Sequence, residues 1–186
     1  MLDEKVIRAL EIANQAHNGQ LRKGTQIPYV IHPINTMGVA MRYTQDPDIL
    51  AACLMHDIVE DVPDKYSVEK MREEFGETAT GYVLGVSEDK SIPDWRERKE
   101  GYLRHLAEEP AGTAIVSMAD KIQNLSDILR DYNEIGEKVW EKFHVGRDEE
   151  IWYYDAVYQL MLGRDDVPKA MVAELGRLVK RTKEAI

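Results

Sequence analysis

Apolar residues recur at spacings of three and four along almost the whole of this chain. Near the N-terminus, Val6, Ile7, Leu10 and Ala13 fall at these spacings and predict an amphipathic helix over residues 3–17. Alternating runs of β-branched residues are almost absent, and no Asn-Gly or Asp-Gly pair sits between two candidate strands. The pattern therefore predicts an all-α fold.

Capping residues, prolines and glycines divide this pattern into separate helices. Pro33 suits the first turn of a helix, Ser67 can cap another, and Asp94 with Glu97 is typical of a capping box. The predicted helices cover residues 3–17, 33–43, 46–62, 67–76, 77–87, 94–109, 111–129, 148–162 and 168–184. No internal repeat or long linker interrupts them. We therefore expect residues 1–186 to form a single compact bundle of about eight or more helices.

The composition excludes several classes of protein. With 44% hydrophobic and 31% charged residues, the chain is typical of a soluble domain, and no apolar stretch is long enough to span a bilayer. One cysteine, Cys53, cannot form an internal disulfide, which favours the cytoplasm. A net charge of -10 argues against DNA or RNA as a partner. The net charge is compatible with a small anionic substrate and with assembly into a homo-oligomer.

Ionisable residues are concentrated in the segment AACLMHDIVEDV, residues 51–62. His56 and Asp57 are adjacent, and on a continuous helix Glu60 and Asp61 would follow them one turn later on the same side. Three carboxylates this close repel one another unless a cation lies between them. If they were only solvated residues at a helix C-terminus, the negative end of the helix dipole would oppose them. The cluster therefore favours a metal site.

Two further residues complete a plausible set of metal ligands. His32 lies at the predicted edge of a helix, and Asp120 lies in the apolar segment SMADKIQNL, where a buried unpaired carboxylate would be costly. One His, then His-Asp, then a distant Asp is the ordered pattern of the HD phosphohydrolase superfamily. His32, His56, Asp57 and Asp120 are thus the predicted ligands. Two imidazoles and two carboxylates suit one divalent ion, foremost Mn²⁺, with Fe²⁺ or Zn²⁺ as alternatives.

Three ordered motifs carry a narrower resemblance. The runs AHNGQLRKGTQIPYVIHP, HDIVEDV and MADKIQNL resemble the hydrolase domain of RelA/SpoT-type proteins, and most closely the stand-alone small alarmone hydrolases. The resemblance implies an all-α HD domain. It also implies Mn²⁺-dependent hydrolysis of the 3′-pyrophosphate of guanosine tetra- and pentaphosphate (ppGpp and pppGpp), which yields GDP or GTP and pyrophosphate.

The resemblance also implies roles for individual side chains. Arg22 and Lys23 would hold substrate phosphates, and Tyr29 would lie near the nucleotide. Asn124, one helical turn after Asp120, would contact the substrate or support the metal ligands. Glu60 and Asp61 would position and activate the attacking water. Lys121 matches a basic position of the family, but its adjacency to Asp120 is expected to turn it to another face of the helix.

Departures from the family pattern leave other functions open. Ser126 stands where the resembled hydrolases usually carry Arg, and residues 131–186 contain no recognisable motif. One alternative is an HD-type nucleotidase or phosphatase that acts on another nucleotide, such as NADPH. A second is an inert nucleotide-binding sensor, and a third is a helical scaffold without a site. Aromatic residues such as Trp95, Tyr153 and Tyr154 are expected to belong to the core and not to stack on a base.

Overall fold

The computed structural model describes residues 2–185, and within that range the regular structure is helical. The helices are α1 (Glu4–Ala16), α2 (Ile31–Ala40), α3 (Pro47–Met55), α4 (Ile58–Asp61), α5 (Val68–Gly85), α6 (Trp95–Glu108), α7 (Ala111–Ile135), α8 (Arg147–Leu162) and α9 (Lys169–Glu184). A 3₁₀ helix, Gly136–Lys142, follows α7. A single isolated bridge joins Leu21 and Pro28 in the described chain. The all-α prediction is confirmed.

Local sequence signals set most helix boundaries. Asp46 accepts a hydrogen bond from Asp48 N at the start of α3 (2.9 Å), and Asp94 accepts one from Glu97 N at the start of α6 (2.7 Å). Each such cap stabilises its helix by about 1 kcal/mol. Within α5, Gly76 has a φ of 82°, which breaks the helix where the sequence predicted a boundary.

The apolar stripe predicted for α1 is partly wrong. Val6, Ala9, Ala13 and Ala16 are buried and form the inner face, whereas Ile7 is 42% exposed. Position 7 lies about 100° around the helix from position 6 and so points away from the buried face, which packs against α3.

Two helices run through the core and carry the site. Every residue of α3 from Ile49 to Met55 is buried, and so is every residue of α7 from Gly112 to Gln123. Helix α7 packs against α2, α3, α5, α8 and α9. It continues to Ile135, beyond the predicted end at residue 129, and the 3₁₀ helix after it was not predicted. No helix in residues 2–185 has the length and apolar character needed to cross a bilayer.

Candidate metal centre and adjoining cleft

Two buried histidines face each other across a small polar pocket. His32, in the first turn of α2, is 3% exposed, and His56, just after α3, is 5% exposed. Nδ1 of His32 lies 2.7 Å from Gln123 Oε1, and Nδ1 of His56 lies 2.8 Å from the Cys53 carbonyl oxygen. Both partners are oxygens that only accept, so each Nδ1 carries the proton. In the neutral form of each imidazole, Nε2 then carries a lone pair that can bind a metal ion.

Two carboxylates complete the group. Asp57 Oδ2 lies 3.4 Å from His32 Nε2 and 3.1 Å from His56 Nε2. Asp120 Oδ1 lies 3.2 Å and 3.6 Å from the same two nitrogens. Burial raises the pKa of Asp57, but His56 and His32 outweigh burial and lower it. Burial also raises the pKa of Asp120, but Lys121 and the two histidines hold it well below its usual value. Both carboxyls are therefore ionised.

Each carboxylate is fixed by further hydrogen bonds. The Tyr29 hydroxyl donates to Asp57 Oδ2 at 2.7 Å. Asn124 Nδ2 donates to Asp120 Oδ1 at 2.6 Å, and Lys121 Nζ lies 2.6 Å from Asp120 Oδ2. Partners of this kind orient metal ligands and tune their basicity.

These side chains fit a divalent metal ion. Donor atoms of His32, His56 and Asp57 lie within 4.8 Å of one another, and Asp120 borders them through its two histidine contacts. His56 Nε2 is buried and has no hydrogen-bond partner in the described chain. We call the surrounding space of about 170 Å³ the inner pocket; its charged lining comprises five carboxylates (Asp57, Glu60, Glu88, Asp120, Glu150) and three cations (Arg22, Lys99, Lys121). The formal charge of this lining is negative, which favours a bound cation.

The structure corrects the prediction of one continuous helix over the His-Asp segment. Helix α3 ends at Met55 and α4 begins at Ile58, with Asp57 between them at φ −90° and ψ −8°. Adjacent residues of a regular helix point about 100° apart, so that His56 and Asp57 would not converge. The turn brings His56 Nε2 to 3.1 Å from Asp57 Oδ2. No glycine or proline marks this break, which is why the sequence did not show it.

Glu60 and Asp61 have different environments. Glu60 lines the inner pocket, where its Oε1 accepts a hydrogen bond from Glu88 N at 2.7 Å. Burial raises the pKa of Glu60. Asp61 is not among the residues that line the pocket; its Oδ1 lies 3.0 Å from Lys90 Nζ, which also lies 3.3 Å from Glu60 Oε2. Of the two predicted catalytic carboxylates, the structure therefore brings Glu60 to the metal donors.

Lys121 corrects a second prediction. Its side chain is not turned away from Asp120, because the long alkyl chain bends back and places Nζ beside the Asp120 carboxylate. The ammonium also lies 5.2 Å from the ring centroid of Tyr102 and 5.5 Å from that of Tyr153. Burial lowers the pKa of Lys121, but Asp120 outweighs it and raises the pKa well above its usual value. Lys121 is therefore a charged partner of a candidate ligand.

A larger cleft of about 350 Å³ opens beside the inner pocket. We call it the outer cleft; its walls come from residues 22–35, from α7 between residues 123 and 131, from residues 139–144, and from Trp95, Glu150 and Tyr154. Six residues line both cavities: Arg22, Tyr29, His32, Asn124, Glu150 and Tyr154. A ligand in the outer cleft can therefore reach the metal donors.

The predicted substrate residues lie at this junction or beside it. Arg22 Nη2 donates to Asn124 Oδ1 at 3.1 Å and to Asp127 Oδ2 at 3.0 Å, and its guanidinium lies 5.6 Å from the Tyr29 ring centroid. Lys23 lines only the outer cleft. Tyr29 and Asn124 line both cavities and also hold Asp57 and Asp120, so that they support the metal centre as well.

The sequence did not reveal the wall contributed by residues 131–186. Lys142, Phe143 and His144 line the outer cleft, and Glu150 and Tyr154 come from α8. Tyr154 is 6% exposed, so it belongs to the core as expected and also forms part of the wall. The only available signal was the mixture of basic and aromatic residues in the segment VWEKFH. Such a segment is compatible with ordinary packing.

Ser126 does not replace the arginine that the resemblance led us to expect. Its hydroxyl donates to the Ile122 carbonyl at 2.7 Å, and it lines neither cavity. Arg130, one turn later, lines the outer cleft and lies 2.8 Å from Asp127 and 3.2 Å from Asp131. The outer cleft therefore has a guanidinium group on its α7 wall, and Arg130 supplies it.

A model of a known family matches most of the chain. The match, described as an HD domain, covers residues 9–148 and includes all four predicted metal ligands. The chain belongs to the HD-domain family. The superfamily assignment made from the order of His32, His56, Asp57 and Asp120 is thereby confirmed.

Relatives of this HD-domain protein carry one recurrent name. The MESH1 proteins of Drosophila melanogaster and Homo sapiens are named guanosine-3′,5′-bis(diphosphate) 3′-pyrophosphohydrolases. The fly protein is 34% identical over 128 residues, which are 67% of this chain and 69% of the relative. The human protein is 28% identical over 183 residues, which are 95% of this chain and 94% of the relative. A protein of the same enzyme name from Aquifex aeolicus is 32% identical over 128 residues, but this match spans only 18% of its length.

Solved structures agree with this assignment. One, reported as a metazoan ortholog of SpoT that hydrolyzes ppGpp, superimposes with a TM-score of 0.76 at 26% identity and covers 97% of both chains. Another, from Listeria monocytogenes EGD-e, gives a TM-score of 0.70 at 27% identity over 80% of this chain and 96% of the other. The resemblance to RelA/SpoT-type hydrolases is confirmed at the level of fold and family.

Proposed function

We propose that this HD-domain protein hydrolyses the 3′-pyrophosphate group of ppGpp and pppGpp, releasing pyrophosphate and GDP or GTP. The observation that carries the proposal is the junction of the two cavities. A buried metal-binding group opens directly into a larger cleft that Arg22, Lys23, Arg130 and Lys142 line. Relatives that share most of the chain are named for this activity. We further propose that residues 1–186 form one domain that acts in the cytoplasm.

The basic residues of the outer cleft explain how an acidic protein accepts a polyanion. Arg22 can bind a phosphate with two parallel hydrogen bonds, and Lys23 contributes a point charge. The chain as a whole has a net charge of -10, whereas four cations and three carboxylates line the outer cleft. A substrate with phosphates at two separate ribose positions uses the cleft and the inner pocket together.

His32, His56, Asp57 and Asp120 would hold one divalent ion, for which we propose manganese. Two imidazole nitrogens and two carboxylates form a borderline-to-hard donor set that suits this ion. When bound, such an ion polarises a phosphoryl oxygen and lowers the pKa of water. The Cys53 carbonyl and the Gln123 amide keep the imidazoles in the required tautomer.

Glu60 is the proposed general base. It lies on the wall of the inner pocket, its Oε1 is held by Glu88 N, and burial raises its pKa. A carboxylate with a raised pKa takes a proton from the attacking water more readily. Asp61 would assist by sharing Lys90 with Glu60, which fixes the position of the base. Arg22 and Lys23 would stabilise charge on the phosphate oxygens.

A nucleotide panel tests this function. Purified protein with Mn²⁺ is incubated separately with ppGpp, pppGpp, GTP, GMP and NADPH, and pyrophosphate and phosphate are measured. We expect pyrophosphate from ppGpp and pppGpp only. Phosphate release from NADPH or GMP, with no pyrophosphate from ppGpp, would overturn the proposal in favour of another nucleotidase. Glu77→Gln, at a side chain that is 80% exposed, serves as the unchanged control.

A further inference from the structure

Three side chains on the wall of the inner pocket, Lys99, Lys121 and Tyr153, have no role in the proposed reaction, and we call this part of the wall the buried end. Lys99, Lys121 and Tyr153 line the inner pocket but not the outer cleft. Lys99 and Lys121 are the only Lys or Arg residues in the described chain with this property. The pocket of about 170 Å³ has the volume of roughly five to six water molecules, at about 30 Å³ each, and so has room for a small anion.

The Tyr153 hydroxyl has no hydrogen-bond partner in the described chain, although the residue is 3% exposed. Its ring is held edge-on by Trp95 and Tyr102, with centroids 6.2 Å away in both cases. A buried hydroxyl normally has a partner, so an orphaned one on a cavity wall points to a ligand or an ordered water.

Two ammonium groups lie near the ring that carries this hydroxyl. Lys99 Nζ pairs with Glu88 and lies 4.2 Å from the Tyr153 ring centroid. Lys121 Nζ pairs with Asp120 and lies 5.5 Å from the same centroid. An ammonium has three donors, so each lysine keeps donors beyond its carboxylate. The buried end therefore presents two cations and a hydroxyl.

We propose that Lys99, Lys121 and Tyr153 form a subsite for the terminal phosphate of the 3′-pyrophosphate group and retain inorganic pyrophosphate after cleavage. This rests on the proposed function. The nucleoside enters from the outer cleft, and the phosphorus that is attacked lies at the metal donors. The second phosphate must then continue away from the cleft, toward the buried end. The subsite explains why the enzyme would release pyrophosphate and act poorly on a 3′-monophosphate.

Direct binding tests the subsite without any turnover. Inorganic pyrophosphate and, separately, inorganic phosphate are titrated calorimetrically into the Mn²⁺-saturated protein, and the ratio of the two Kd values is compared between variants. We expect wild type to bind pyrophosphate at least about tenfold more tightly than phosphate. Tyr153→Phe removes one hydrogen bond to a charged group and should weaken pyrophosphate binding about tenfold, while phosphate binding changes less than about twofold.

Tyr102→Phe is the matched control. It also removes a buried hydroxyl from the same aromatic cluster, but that hydroxyl bonds to Ser117 Oγ at 2.7 Å and Tyr102 does not line the pocket. The Kd ratio should stay at the wild-type value. A second variant, Lys99→Gln, should lower the preference for pyrophosphate as Tyr153→Phe does. Thermal unfolding of each variant checks that the fold is intact.

Several results would overturn the subsite. They are equal affinity of wild type for the two anions, or the same Kd ratio in wild type, Tyr153→Phe and Lys99→Gln. The outcome is separate from that of the nucleotide panel. A pyrophosphate preference that depends on Tyr153, without hydrolysis of ppGpp, would support the subsite and reject the proposed function. Hydrolysis of ppGpp by a protein with no preference for pyrophosphate would support the proposed function and reject the subsite.

Discussion

In the inner pocket, both oxygens of the Asp120 carboxylate have fixed partners, whereas in the outer cleft the charged side chains pair with one another near the surface. Asp120 is 11% exposed and is held by Asn124 and Lys121. On the other side of the junction, the Arg130 side chain is 51% exposed and pairs with Asp127. The first arrangement fixes reacting groups in advance, and the second can exchange its partners for a ligand. The proposed chemistry thus belongs to the inner pocket, and the proposed binding of the nucleoside moiety belongs to the outer cleft.

The most damaging change to the inner pocket should be Asp57→Ala. It removes a candidate ligand and leaves two buried histidines and the Tyr29 hydroxyl without their shared carboxylate. Activity should fall by at least the roughly 10⁴-fold that general-base catalysis can supply, because the metal is lost with it. Metal analysis after dialysis checks this. A variant that keeps one metal ion per chain would remove Asp57 from the ligand set, and Asp64→Ala, on an exposed loop, is the control.

Glu60→Gln should separate chemistry from metal binding within the same pocket. The amide keeps the size of the side chain and can still accept from Glu88 N, but it cannot take a proton. We expect kcat to fall by about 10² to 10⁴ while metal content stays at the wild-type level. Steady-state kinetics together with metal analysis measure both quantities. Unchanged kcat would exclude Glu60 as the base.

Glu150, at the junction, should make stability depend on pH. Burial raises its pKa from 4.5 to about 7, with Glu88 adding to the rise and Lys99 and Lys121 opposing it. In the unfolded chain Glu150 loses its proton near pH 4.5, whereas in the folded protein it keeps the proton up to about pH 7. Its contribution to the free energy of unfolding is therefore complete below pH 4.5 and is lost as the pH rises to 7. The loss should be about 3 kcal/mol.

Glu150→Gln should remove that loss, because the amide does not titrate. Denaturant unfolding at pH 5 and pH 8 measures the effect as a difference between variant and wild type. We expect the variant to gain stability relative to wild type at pH 8. If the stability of both proteins depended on pH in the same way, a group other than Glu150 would be responsible. Glu149→Gln, at a neighbouring half-exposed side chain, is the control.

The smallest effect should come from the outer cleft. Lys23→Met removes one phosphate contact without touching the metal ligands, so KM should rise about fivefold while kcat stays within about twofold. Initial-rate kinetics with ppGpp check this. Lys138→Met, an exposed residue that lines neither cavity, should leave both constants unchanged. A fall in kcat with constant KM would show that Lys23 acts in the chemistry.

The residues of the inner pocket could be predicted from the sequence far better than those of the outer cleft. His32, His56, Asp57 and Asp120 lie in three ordered motifs, and the structure brings them together. The turn at Asp57 was missed because no glycine or proline marks it. Lys121 was misjudged because residue spacing gives the direction of the Cβ atom but not the path of a four-carbon side chain.

The outer cleft was hardly predictable. Lys142 ends the 3₁₀ helix, Phe143 follows it, and Glu150 and Tyr154 lie in α8, all more than 100 residues after the loop that carries Arg22. Their proximity to that loop depends on how α7 ends and how α8 packs, which are tertiary effects without a local sequence signal. The helices themselves were predictable, because capping residues such as Asp46 and Asp94 mark their starts.

The central claim is that one metal ion in the inner pocket enables this chain to hydrolyse ppGpp. The most direct test titrates Mn²⁺ into the metal-free protein while pyrophosphate release from ppGpp is followed. Release should be absent without metal, rise with added Mn²⁺, and saturate at one equivalent per chain. Turnover in the presence of a chelator, or saturation only at two or more equivalents, would contradict the account.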